Sequence, residues 1–306
     1  MKESRVTVVV LTYNRVQEVL RTLHYLSHLE EHPPIIVVDN GSNDGTALQV
    51  AERYPWVTII GLDSNIGAAA RNAGVERAGT PYVALCDDDT WWATGSLERA
   101  ADVLDQHESI AVITAKVLIG PEEREDPTSA QMADSPLRRP LGFPGPPIMG
   151  FLAGASLIRR DAFLQVGGFD PKLFLGGEEA LVAYDLAEAG WAMIYLPTAV
   201  VHHHPSRLRD SIARRRLLLR NALWTAWLRR PLAGVWRETR NALAQVRLDA
   251  NLRPAFVDAL RGIGWIAWRR RQVSARVEEQ IRLLECPISP KPAPDRMSSP
   301  RQSACH

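Results

Sequence analysis

Residues 82–89 read Tyr-Val-Ala-Leu-Cys-Asp-Asp-Asp (YVALCDDD). An apolar run followed at once by three carboxylates describes a strand buried on both faces that delivers polar groups at its carboxyl end. The pattern has two upstream counterparts: residues 6–12 (VTVVVLT) end at Thr12, and residues 35–39 (IIVVD) end at Asp39. Further strands are expected at 57–60 and 110–118. Helical spacing lies between them. Val16, Val19, Leu20, Leu23 and Leu26 mark a helix within 16–29, the Gly-bearing turn 40–45 leads into a helix through Tyr54, and 67–78 and 96–107 are also helical in pattern. Strands alternating with helices predict an α/β domain with a mostly parallel, Rossmann-like sheet and helices on both faces. Ligands of such sheets bind beyond the carboxyl ends of the strands. Thr12, Asp39 and Asp87 to Asp89 therefore converge on one candidate site.

From 120 to 147 the periodicity dissolves into a segment with seven prolines, expected to be a functional or disordered loop. Order returns at 149–158, with a short helix over 160–166, a helix over 178–189 and short strands at 192–196 and 199–203. After Pro205 the composition changes. Residues 211–228, 232–248 and 254–284 are helical in pattern and Arg-rich, and they hold five of the nine tryptophans; Gly262 and Gly264 are candidate interruptions. The Pro/Ser-rich stretch from Pro287 is expected to be disordered. The division is 1–204, an α/β domain; 205–285, a basic amphipathic helical region; and 286–306, a tail.

The chain of 306 residues is 46% hydrophobic, which excludes disorder throughout. Cys86, Cys286 and Cys305 are too few and too scattered for a disulfide framework or a zinc cluster, so a reducing compartment is expected. The start MKESRVTVVVLTYNR does not read as a signal peptide, and no stretch approaches the ~20 apolar residues of a membrane span. A cytoplasmic location is the expectation. The net charge of +1 conceals a split: 15 basic against 27 acidic residues in 1–204, 18 against 7 in 205–285, and 3 against 1 in 286–306. Opposite signs point to different tasks.

Several motifs admit two readings each. Asp87-Asp88-Asp89 is either a solvated turn before a helix cap or a site for Mg²⁺ or Mn²⁺ held together with substrate phosphates. His202-His203-His204 follows a short strand; alternation sends His202 and His204 one way and His203 the other, and a metal shared with the aspartates is one reading of the triplet. Residues 40–46 (NGSNDGT) either aim backbone N–H groups at an anion or form an ordinary helix start capped by Asp44; the GK[ST] of a P-loop is missing. Residues 65–74 (NIGAAARNAG) allow close approach of a ligand, with Arg71 on a phosphate or base edge, or tight packing with Arg71 in an ion pair. Glu178-Glu179 either complements a helix dipole or supplies a general base.

Taken in order, VTVVVLTYNR, IIVVDNGSNDGT, NIGAAARNAGV, YVALCDDDT, GASLIRRDAFLQVGGFD, LGGEEALVAYDLAEAGW and YLPTAVVHHH resemble the motifs of family-2 inverting glycosyltransferases with the GT-A fold, over roughly residues 5–204. The resemblance implies a metal-dependent enzyme that moves a sugar from a nucleotide-diphosphate sugar to an acceptor hydroxyl of a saccharide or lipid-linked glycan. It implies Thr12, Tyr13, Asn14, Asp39, Asn65, Arg71, Asp87 and Asp88 around the nucleotide, with Asp39 on the base and Asp88 close to the sugar or ribose. It implies Asp89 and His203 on Mn²⁺ or Mg²⁺, and Glu179 as catalytic base. The family's E-D-x-D reads here Glu178-Glu179-Ala180-Leu181, so the second acid is lost to Leu181.

Two alternatives stand beside this reading. A sugar nucleotidyltransferase has a related sheet, but its Gly-rich N-terminal loop is missing from VVVLTYNRVQ. A degenerate transferase serving as a binding or scaffold subunit is consistent with Leu181 and less so with the aspartates and Arg71. The basic region fits either a packed helical subdomain with solvated arginines or a contact with an anionic membrane surface, which would put the enzyme at the inner face of the cell membrane. No nucleic-acid partner is expected, because the rest of the chain is acidic and carries no binding motif.

Overall fold

Six of the seven residues of β1 (Val6–Thr12) are buried, as a central strand requires. The computed structural model describes residues 4–205 and 211–285. After β1 come α1 (Val16–Ser27), β2 (Ile35–Asp39), α2 (Thr46–Arg53) and β3 (Thr58–Gly61). A 3₁₀ turn, Gly67–Ala70, runs into α3 (Arg71–Arg77), followed by β4 (Tyr82–Asp87), β5 (Thr90–Trp92), α4 (Ser96–Gln106) and β6 (Ile110–Ile119). Next are β7 (Arg124–Glu125), α5 (Pro127–Ala133), β8 (Ala155–Arg159), α6 (Arg160–Gln165), α7 (Glu178–Glu188) and β9 (Ala192–His203).

The strands form one sheet in the order β3-β2-β1-β4-β8-β6-β9-β5, with β7 on β6. The stretch β3-β2-β1-β4 is wholly parallel. Beyond it the sheet is mixed: β8 runs antiparallel to β4 and β6, β9 parallel to β6, and β5 antiparallel to β9. Alternation sends Val8 and Val10 into a core with Leu23, Val50 and Leu104. Val9 faces the opposite core, with Val75, Phe163 and Val182. Helices thus cover both faces, as the sequence pattern predicts. The strands expected at 192–196 and 199–203 are one strand. Its pairing with β6 jumps from Ala115–Leu196 to Lys116–Val200, so Pro197, which has no N–H to offer, lies in the irregularity. The proline-rich 120–147 segment is not wholly loop: it contains β7 and α5, the latter started by Asp126, whose side chain accepts from Thr128 N.

The rest is helical: α8 (Ser211–Arg229), α9 (Leu232–Leu248), a 3₁₀ turn Ala250–Leu252, α10 (Arg253–Arg261), α11 (Ile263–Arg269) and α12 (Ala275–Glu285). Gly262 separates α10 from α11, and the expected helix over 254–284 is three helices. The composition break near Pro205 is not a break in packing. Val277 and Ile281 of α12 join the core of Val182 and Leu186 of α7. Leu219, Leu223 and Leu228 of α8 bury Leu173 and Leu181. Arg229 and Arg230, placed by the two sequence readings in solvent or on a membrane surface, are buried: Arg229 pairs with Asp185, and Arg230 with Glu278 and Glu285. Among the described residues, no helix is long and apolar enough to cross a membrane. The expected tail, with Cys286 and Cys305, lies outside the described residues.

Candidate active site

The first wall of the site is built from strand ends. β1 stops at Thr12, whose hydroxyl donates to Asp88 Oδ2 at 3.1 Å. Tyr13 is half-exposed beyond it. Asn14 adopts φ +51°, accepts from Asn43 N through Oδ1 (2.8 Å) and donates its own N–H to Ser42 Oγ (2.8 Å). Asp39 ends β2, buried, and accepts weakly from Ser42 N at 3.3 Å. Asn65 Oδ1 accepts from Asn40 Nδ2 and Gly67 N, each at 2.9 Å, while Asn40 Oδ1 accepts from Ile66 N at 2.9 Å. Thr12, Asn14 and Asn65 are therefore committed to bracing loops, while Tyr13 is half-exposed and Asp39 is buried with one long contact to Ser42 N. Asn40, read in the sequence only as the first residue of the 40–46 loop, is the hub of this brace. Asp44 accepts from Thr46 N at 3.0 Å, but it is not the cap expected of it: the N-cap of α2 is Gly45, in the left-handed region at φ +84°.

The three aspartates diverge. Asp87 lies against Gly154, where a Cβ would come within 2.6 Å of Asp87 Oδ2, and pairs with Arg71. Arg71 is buried, and its Nε and Nη1 have no hydrogen-bond partner among the described residues. A buried guanidinium with idle donors is suited to an anion. Asp88 is buried; burial pushes its carboxyl up to about 7, against the pull of Arg15. Arg15 spans the next pair, Nη1 to Asp88 Oδ1 at 2.5 Å and Nη2 to Asp89 Oδ2 at 3.1 Å.

β9 brings the histidines to the same place. His203 pairs with Thr90 across β5–β9, and its Nε2 lies 3.6 Å from Asp89 Oδ1. His203 Nε2 is buried with no hydrogen-bond partner among the described residues. His202 and His204 point the other way: both rings lie against Trp91, and His202 Nδ1 is 3.2 Å from Glu123 Oε1. Alternation thus assigns the Asp89 side to His203. A carboxylate and an idle imidazole suit Mn²⁺ or Mg²⁺. Among the described residues no group of three or more His, Cys, Asp or Glu is gathered to hold a metal ion.

Glu178 and Glu179 open α7 behind the left-handed glycines Gly176 (φ +89°) and Gly177 (φ +82°). Burial, then the charge of Glu178, raises the Glu179 carboxyl well above the usual carboxylate range, while Arg71 pulls it down. Burial also raises Glu178, whose Oε2 has no hydrogen-bond partner among the described residues. The charge of Arg71 acts on both glutamates and that of Asp87 on Glu178, so the pair lies within electrostatic reach of the Arg71–Asp87 ion pair. Leu181, where a second acid is lost, faces away into the core with Leu219 and Leu223.

Two contacts fix the loop before α7. Phe174 O accepts from Ala68 N at 2.6 Å, and a Cβ on Gly67 would lie 2.0 Å from that oxygen. Asn221 of α8, fully buried, donates through Nδ2 to Leu173 O (2.8 Å), Leu175 O (3.2 Å) and Gly176 O (2.6 Å). Asn221 was not legible as a site residue; the only signal is one amide in the run LLLRNALW.

The profile of glycosyl transferase family 2 matches residues 7–167. An N-acetylglucosaminyl-diphospho-decaprenol L-rhamnosyltransferase of Mycobacterium tuberculosis (strain ATCC 25618 / H37Rv) is 29% identical over 231 residues, 64% of this chain and 75% of that protein. The mannosyltransferase PcManGT from Pyrobaculum calidifontis, solved with GDP-Man and Mn²⁺, superposes with a TM-score of 0.58 at 20% identity, over 92% of this chain and 85% of its own. GalNAc-T7, solved with UDP, GalNAc and Mn²⁺, superposes with a TM-score of 0.57 at 17% identity, over 74% of this chain and 48% of its own. These two likenesses establish the GT-A fold.

Proposed function

The chain belongs to glycosyl transferase family 2 and is a glycosyltransferase, and from that premise we propose that it transfers a sugar from a nucleotide-diphosphate sugar to an acceptor hydroxyl with inversion at the anomeric carbon, using Glu179 as base. The observation that carries the reading is the pairing of Arg71, buried with two idle nitrogens, with the raised carboxyl of half-buried Glu179, on which the Arg71 charge acts. Tyr13 and Asp39 line the base side of the donor, within a frame kept by Thr12, Asn14, Asn65 and Asp88. Arg71 and Asp87 lie toward the diphosphate and sugar.

Asp89 and His203 would hold a divalent cation, Mn²⁺ or Mg²⁺, with substrate phosphates in its remaining positions. When bound, it would neutralise charge developing on the diphosphate leaving group. Glu179, unprotonated, takes the proton of the acceptor hydroxyl. That oxygen forms its bond to the anomeric carbon as the bond to the diphosphate breaks, so a single displacement inverts the centre. A raised carboxyl is the stronger base, which favours this transfer near neutral pH.

The acceptor class we favour is a lipid-linked glycan of cell-wall or polysaccharide assembly. The support is the rhamnosyltransferase relative, whose name carries a decaprenol diphosphate. The site of action would be the cytoplasmic face of the membrane. The test is nucleoside-diphosphate release from a panel of nucleotide sugars with Mn²⁺, with polyprenyl-diphosphate sugars as acceptors. Wild-type turnover that Glu179→Gln abolishes without weakening donor binding is the expected result, and full transfer by Glu179→Gln would remove Glu179 as base.

A further inference from the structure

The helices after Pro205 keep their apolar residues on two sides rather than one. The inner side of α9 is fixed by Trp227 of α8, whose Nε1 donates to Thr239 Oγ1 at 2.9 Å, and by buried Ala242. The side turned away carries Leu232, Trp236, Arg240, Leu243 and Arg247, which recur at helical spacing. A solvent stripe should be polar. Here Leu232 is 77% exposed and Trp236 68%.

The pair α10 and α11 repeats this. Their inner side packs on Trp224 of α8, which donates to Ala259 O at 3.0 Å and lies flat against Gly262. Their outer side presents Val257, Leu260, Arg261 and Trp268, the last 81% exposed. Trp224 and Trp227 are three residues apart on α8, so both layers rest on one side of that helix, and α9 also touches α10. The two outer stripes therefore lie on neighbouring helices. Segments 232–248 and 253–271 carry eight arginines against two acids; Arg237 pairs with Glu285, Arg269 with Asp170, and Arg270 donates to Trp227 O and Arg230 O, while Arg240, Arg247, Arg253, Arg261 and Arg271 are exposed. Of the acids, Glu238 is half-buried and Asp258 is paired with Arg261.

We propose that the outer surface of α9, α10 and α11 lies on an anionic lipid bilayer, with Trp236 and Trp268 in the interface and the arginines on the head groups. Exposed tryptophans beside arginines suit the boundary between acyl chain and head group, and the charge complements acidic lipid. The surface is also placed for use. α8, which carries α9, α10 and α11, also holds the loop before Glu179 through Asn221, so the proposed lipid face and the proposed base share one supporting helix. A polyprenyl-linked acceptor would then reach the site without leaving its membrane. This last point rests on the proposed transfer reaction; the surface itself does not.

The test is flotation of the full chain with vesicles of phosphatidylcholine, with and without phosphatidylglycerol. The wild type should float only with phosphatidylglycerol, less so at high salt, and its tryptophan emission should shift to the blue. Arg240→Gln/Arg247→Gln/Arg253→Gln should lower partitioning on the order of a hundredfold. Trp236→Ser/Trp268→Ser should abolish the emission shift. Both variants should keep the wild-type unfolding midpoint and nucleotide-sugar turnover in solution. Wild type that stays unbound, binding that neutral vesicles support equally, or variants that float like wild type would overturn the proposal. So would a wild-type dimer that the tryptophan variant dissolves, since the occupant would then be a second copy. Vesicle binding without donor turnover sinks the transfer reading alone, and turnover without vesicle binding sinks the surface alone.

Discussion

Glu179 and Glu178 set the pH behaviour at the scale of single residues. Each has its carboxyl raised, chiefly by burial, and Glu178 adds to the raising of Glu179. The acidic limb of kcat/KM, which reports protonation of the base, should therefore lie above the ordinary carboxylate range. Glu178→Gln removes a neighbouring negative charge, so the limb should move to lower pH. An unmoved limb would uncouple the two residues. The stability effect has its own sign. A native-state pKa raised above the unfolded value means that stability falls as pH rises from the ordinary carboxylate range through the native value. Glu178→Gln should recover about 1 kcal/mol or more of that loss above neutrality, seen as a higher unfolding midpoint than wild type at alkaline pH and little difference at acid pH. At the metal pair, His203→Ala should weaken Mn²⁺ binding, followed by electron paramagnetic resonance, whereas His202→Ala should not, because His202 faces Glu123 and Trp91.

At the scale of elements, the loop before α7 carries the consequences. Gly67 has φ +69° and no room for a Cβ against Phe174 O, so Gly67→Ala should separate the nucleotide-side turn from the catalytic loop. Asn221→Ala removes donors from three carbonyls of the same loop and should cost about 1–3 kcal/mol in unfolding free energy, with kcat lowered more than donor affinity. Equal losses in both would show that Asn221 does not position the base. The contrast with what was legible in the sequence follows from range. β1, β2 and β4 were readable because burial on both faces writes a continuous apolar run, and Thr12, Asp39 and Asp87 were readable because polar residues end those runs. β5 was not, because three residues carry no period and its pairing with His203 joins positions far apart in the chain. Asn40 and Asn221 were not, because an amide's role lies in its distant partners rather than in its neighbours. The division of the three histidines by alternation was legible, and the resemblance implied His203; the 3.6 Å approach of its Nε2 to Asp89 Oδ1 was not, because it depends on a β5–β9 pairing between distant positions.

At the scale of the whole molecule, the charge split looked like two modules, and the packing joins them. α12 shares a core with α7, and Arg229–Asp185 is buried across the composition break. Composition could not show this, since an arginine run reads as solvated until its partners are known. The full chain should unfold in one transition, and a chain ending at 204 should lose cooperative unfolding. Two separate calorimetric transitions would mean two independent units. Removing one partner, as in Asp185→Ala, should cost about 3–5 kcal/mol because it strands a buried guanidinium. All of this supports one site, and the most direct test of that site is the anomeric configuration of the first product. Proton NMR of the transfer reaction with the cognate nucleotide sugar should show the configuration inverted relative to the donor, with product absent for Glu179→Gln although the donor still binds. A product of retained configuration, or unchanged product with Glu179→Gln, would contradict a single displacement driven by Glu179.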